Sequence, residues 1–155
     1  LGVLDFGDVK FDARGIVQLA CEASAQAQGR PFPDQVRDIP VGQKARRLHF
    51  LHGAGWTVDE GVEVGRYVMH YADGRTETLP LIYGPDLRDW WVTDSPSPGA
   101  KAVVAWTGST PGGVRVCLYH RVWENPFADQ EIASLDFLST QRACAPFLIA
   151  VTAEP

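Results

Sequence analysis

Between Tyr83 and Trp91 the chain brings together Tyr83, Asp86, Arg88, Asp89, Trp90 and Trp91. A sugar ring needs this mixture: an apolar aromatic platform for its C–H face, and planar polar groups that exchange hydrogen bonds with its hydroxyls. Trp56 follows Gly53-Ala54-Gly55, which lets the backbone approach closely, and Glu124-Asn125 offers a second polar pair. Each residue also has a purely architectural reading. One of the two adjacent tryptophans can plug the core, Trp56 can anchor its loop, and Asp86 and Asp89 can cap theirs through local backbone bonds. Asp86 and Asp89, with carbonyls of a Gly/Pro loop, could instead form an oxygen cage for a structural calcium ion. Trp106 sits in a strand pattern with Val103 and Ala105 and reads as packing.

Other chemistries are poorly supplied. His49 and His52 are three apart, so on one strand they point to opposite faces and cannot chelate together. His70 and His120 fall inside strand patterns, where a hydrogen-bonded face histidine is expected. No Gly-x-Ser-x-Gly elbow, P-loop or His-Glu-x-x-His is present. Asp59, Glu60 and Glu63 share one loop rather than facing each other across a cleft, as a glycosidase requires. Asp136 is a buried-carboxylate candidate that could equally face water. The residues point to a non-catalytic binder with no required cofactor.

The elements that must position these residues are strands. Short β-rich runs punctuated by Gly, Pro and Asp occupy 15–20, 45–52, 64–72, 76–82, 101–107, 114–122, 131–138 and 147–153, with an edge strand near 3–6. In the run at 114–122, Val114, Val116, Leu118 and Val122 alternate with Arg115, Tyr119 and Arg121, which predicts one core face and one wet face. Asp73-Gly74 predicts a hairpin turn. The one helix expected is Glu22–Gln28, closed by Gly29, while 31–40 and 95–99 read as Pro-rich loops. Eight or nine antiparallel strands predict an all-β, jelly-roll-like sandwich. Counting strand directions puts the loops at 53–63, 83–100 and 123–130 at one end, so that Trp56, Trp90, Trp91 and Trp123 converge with Glu124 and Asn125. The same count puts Cys21 and Cys144 together at the other end, where a disulfide closing so long a loop would stabilise by about 4–5 kcal/mol. Three buried free thiols are the alternative, and Cys117 is expected to be free.

The chain has 155 residues, 45% of them apolar, and a net charge of −5. These values predict a single globular domain and exclude disorder and coiled coil. The absence of a basic patch argues against nucleic acid, and no apolar run is long enough to insert in a membrane. The chain opens at Leu1, which suggests a piece of a larger protein, with an extracytoplasmic or cell-surface place favoured.

Leu48-His-Phe-Leu-His-Gly-Ala-Gly-Trp56, Gly65-Arg-Tyr-Val-Met-His-Tyr-Ala-Asp-Gly74, Tyr83-Gly-Pro-Asp-Leu-Arg-Asp-Trp-Trp91, Trp123-Glu-Asn-Pro126 and the closing Ile132-Ala-Ser-Leu-Asp-Phe-Leu-Ser139 and Pro146-Phe-Leu-Ile-Ala-Val-Thr152 resemble a bacterial β-sandwich module of the galactose-binding-like group. The resemblance spans about positions 9–153. It implies an accessory jelly-roll domain of carbohydrate-binding type, with a glycan or a domain of the parent protein as partner.

Overall fold

The computed structural model describes residues 2–27, 32–91 and 100–155. The expected 95–99 loop and the helix-closing Gly29 lie outside them. The described residues form eleven strands and one short helix: β1 (Gly2–Phe6), β2 (Val9–Ala13), β3 (Val17–Gln18), α1 (Glu22–Ala27), β4 (Gln35–Lys44), β5 (Arg47–Gly55), β6 (Glu63–Tyr71), β7 (Thr76–Ile82), β8 (Ala102–Ser109), β9 (Arg115–Glu124), β10 (Glu131–Ser139) and β11 (Ala145–Glu154). A four-stranded sheet, β4-β10-β6-β7, packs on a five-stranded sheet, β3-β11-β5-β9-β8, and β1-β2 form a separate hairpin. The expected all-β, jelly-roll-like sandwich is therefore present, and all its strand pairs are antiparallel.

Alternation explains which side chains go where. On β5, Leu48, Phe50, His52 and Ala54 point inward, while Leu51 and Gly53 point outward. Inward residues of β6, β7, β10 and β11, including Tyr67, Met69, Leu81, Leu135, Phe137 and Leu148, close the main core. The outer face of the five-stranded sheet has a second, smaller core, in which Phe11 of the hairpin, Leu51, Leu118 and Phe147 are buried. Gly53 is required there, since a Cβ would lie 2.7 Å from the Phe147 ring. The Asp73-Gly74 turn forms as expected, with Gly74 at φ 92.

Two strands depart from the sequence expectation. β2 completes the hairpin, and β4 occupies most of the segment read as a Pro-rich loop. In β4 the hydrophobic period is broken by irregular register against β10 and by left-handed backbone at Asp38 (φ 56) and Gly42 (φ 64). Pro40 is tolerated because β4 is an edge strand. Asp136 holds the irregularity: its buried carboxylate accepts the Asp38 N–H at 2.9 Å and faces His70 at 2.8 Å and Arg37 at 3.4 Å. β9 differs too, because both faces are covered. Leu118 lies in the outer core and Val116 is buried opposite Trp91, while Cys117, Tyr119 and Arg121 lie beneath the segment after β7.

Candidate functional site

The segment from 82 to 91 is fixed before its tryptophans are presented. Asp86 is 2% exposed, and its carboxylate accepts Arg121 Nε at 2.6 Å and the Ile82 N–H at 2.9 Å. Its carbonyl accepts Nε2–H of the buried His52, so Nδ1 of that ring is left to accept the Tyr67 hydroxyl at 3.1 Å. Burial pushes the His52 pKa down to about 4, which keeps the ring neutral. The chain then wedges between β5 and β9. Ala54 N–H donates to Arg88 O (3.0 Å), Trp90 N–H to Ala54 O (2.8 Å), and Cys117 N–H to Trp90 O (2.7 Å).

This wedge aims Trp90 and Trp91 at the outer face of the five-stranded sheet, beyond the hairpin's reach. There they join Trp56 and Trp106 around a cleft of about 490 Å³, floored by Leu118 and Phe147 and flanked by Ile16 and Ile149. Four of the five tryptophans of the chain thus line one concavity. Trp90 is half-buried, edge-on to Phe147, and meets Trp91 at 6.0 Å and 74°. Trp91 and Trp106 remain 41% and 37% exposed. The Trp106 indole lies across Gly108, whose missing side chain makes the space, because a Cβ there would collide with the ring. Trp56 sits at φ 63, a left-handed conformation rare for so bulky a residue.

Among the described residues two polar side chains line the cleft, Asp89 and Gln18. Asp89 Oδ1 accepts the Trp91 N–H at 3.1 Å, and the Asp89 N–H reaches the Tyr83 hydroxyl at 3.3 Å. Burial raises the Asp89 pKa above the usual carboxylate value, the Trp91 bond opposing it.

The sequence-predicted residues divide accordingly. Trp56, Asp89, Trp90 and Trp91 are brought together. Tyr83 is 5% exposed and supports Asp89 from behind. Arg88 is directed to Glu60. Asp86 is consumed by Arg121 and the backbone, so it neither meets a hydroxyl nor joins Asp89 in a calcium cage; among the described residues no cluster of three acidic, His or Cys side chains could hold a metal. Glu124 and Asn125 lie at the opposite end. Glu124 pairs with Arg47 at 2.6 Å, and the buried Asn125 amide is occupied by Tyr71, the Ala45 carbonyl and Phe127. Trp123 is buried in the main core. The cause lies between β7 and β8: the alternating count makes β5 and β9 run the same way, but they pair antiparallel, with Arg47 opposite Glu124, so every direction counted after β7 is reversed. The loop at 53–63 therefore sits with 139–146, as Thr140 N–H to Val64 O at 3.1 Å records.

Sequence reading missed Trp106 and Gln18. Trp106 carried a signal in Trp106-x-Gly108, a large ring with a same-face glycine two residues on. Cys21, Cys117 and Cys144 are buried free thiols, with Cys21 Sγ 3.5 Å from Ala143 O and accepting the Ser24 N–H at 3.2 Å. His49 and His52 do face opposite sides: His49 contacts His120 and Glu154, each at 2.9 Å, beneath the hairpin. A larger groove, about 1090 Å³, opens beside Asp59, Glu63, Arg66 and Arg142, but it has no aromatic lining, and Glu63 and Arg66 pair at 2.7 Å.

Among the described residues no helix is long and apolar enough to cross a membrane. No family model matches the chain, and no curated protein matches it.

Proposed function

We propose that this is a non-catalytic binding module of the galactose-binding-like kind whose ligand is a glycan held in the outer-face cleft. The observation that carries the reading is the convergence of Trp56, Trp90, Trp91 and Trp106 on one cleft with two polar side chains among them. Trp106, flat on the sheet with one face wet, offers a platform for a pyranose ring. Trp91 supplies a second surface, roughly perpendicular to Trp90. Asp89 and the Gln18 amide are the groups placed to exchange hydrogen bonds with hydroxyls. So open a site, in which each hydroxyl trades water for protein, should bind in the micromolar to millimolar range.

A second reading, docking onto a domain of the parent protein, draws support from Ile16, 57% exposed at the rim. A glycan-array screen followed by tryptophan-fluorescence titration separates the two. The glycan reading expects saturable quenching by one glycan class, lost in a folded Trp91→Ala variant. Silence across a broad array would replace it with the docking module.

A further inference from the structure

The charge of the cleft narrows the ligand further, on the premise that the ligand is a glycan. Among the described residues lining the cleft, Asp89 is the only ionisable side chain; no Lys, Arg or His stands beside it. Its neighbour Arg88 is turned to Glu60, and Arg121 is held by Asp86. The Oδ1 atom of Asp89 is spent on the Trp91 N–H, and Oδ2 has no hydrogen-bond partner among the described residues. Around this carboxylate stand four indoles, whose ring faces carry the negative lobe of the aromatic quadrupole and attract cations. Every electrostatic element of the described lining thus has the same sign, and a half-buried carboxylate without a counter-charge is costly to keep ionised.

We propose that the cleft selects amino sugars, glycans carrying a free ammonium group, which would sit against Asp89 Oδ2 and over an indole face while the ring stacks on Trp106. The raised pKa of Asp89 fits a carboxylate lacking the cation that would stabilise its charge. An uronate-bearing glycan would meet the opposite: its carboxylate would face Asp89 and the indole faces with no basic group to receive it.

The test compares fully deacetylated chito-oligosaccharides with their N-acetylated and cello-oligosaccharide counterparts of equal length, using titration calorimetry on the intact chain and on Asp89→Asn. That variant keeps an oxygen to accept the Trp91 N–H and replaces the charged Oδ2 acceptor with a neutral amide donor. The expected result is a preference of about tenfold for the free amine, collapsing to near unity in Asp89→Asn and weakening with added salt. Equal affinities, or a preference that persists in Asp89→Asn, would overturn the amino-sugar assignment and leave the glycan reading standing. No binding to any of the three overturns the assignment, and silence on the broad array as well overturns the glycan reading.

Discussion

The two faces of the five-stranded sheet are made from the same strands by the same alternation, yet their aromatic residues end differently. On the inner face Phe50 stacks on Tyr67, and Tyr67 on Phe137, both from the opposing four-stranded sheet, with ring centroids 4.1 and 4.8 Å apart, and all three are fully buried. On the outer face the cover is a hairpin of two five-residue strands. It seals Phe11 and Leu51 and stops short of Trp91 and Trp106. The fate of an aromatic side chain here is set by what opposes it, since residue type and strand position alone do not separate Tyr67 from Trp106. Burial stabilises the fold in proportion to the apolar area removed from water. The wet faces of Trp91 and Trp106 therefore contribute little to folding and stay open to solvent.

The outer face itself divides again. At the end away from the cleft, Glu154 meets Arg46, Arg47 and His49, and these partners hold its carboxyl well below the usual range. Charge there is balanced within the chain. At the cleft, Asp89 has no such partner among the described residues.

The sharpest way to break the comparison is to remove the centre of the inner stack. Tyr67→Ala should cost about 3–5 kcal/mol, because it opens a cavity and strips His52 Nδ1 of its donor. Urea denaturation reads this directly, and a loss near 1 kcal/mol would mean the inner face is no more demanding than the outer.

Acid should reach the inner face through the same histidine. Folding lowers the His52 pKa from 6.5 to about 4, so the unfolded chain takes the proton first. Its contribution is complete above pH 6.5 and declines as the pH falls toward 4, by about 3 kcal/mol in all. Denaturation midpoints between pH 7 and 4 measure the decline, which should be shallower in His52→Gln.

The outer face should respond in the opposite sense. Trp106→Ala is expected to cost no more than about 1 kcal/mol, the cost of trimming a part-exposed side chain, while weakening glycan binding about tenfold or more. The smallest stability effect belongs to Gly108→Ala, within about 0.5 kcal/mol, yet its methyl group would force the Trp106 indole off the sheet and weaken binding alongside it. Unchanged affinity in both variants would remove Trp106 from the site.

Most of the fold was legible because its strands alternate cleanly. Residues 63–71 and 76–82 carry a two-residue period between clear turn signals, and the Asp73-Gly74 turn names itself. β4 was not legible for a physical reason. Its left-handed residues and irregular register shift the apolar positions to Val36, Ile39 and Val41, and its edge position admits Pro40, so every local cue reads as loop. A separate reversal of direction between β7 and β8, which simple alternation does not foresee, moved Glu124 and Asn125 to the wrong end of the sandwich. The tryptophans at 56, 90 and 91 still lie together at one cleft, and the 83–91 segment declares its own composition. Trp106 was lost because alternation assigns a face without saying whether that face is covered.

The most direct test of the central claim, that the outer-face cleft is the binding site, is the response of the five tryptophan indole N–H resonances in a nitrogen-15 correlation spectrum titrated with the best glycan from the array. The account predicts that the signals of Trp56, Trp90, Trp91 and Trp106 shift together while that of Trp123, buried in the main core, stays in place. Binding that leaves those four unmoved, or that shifts resonances around Glu124 and Asn125 instead, would contradict it.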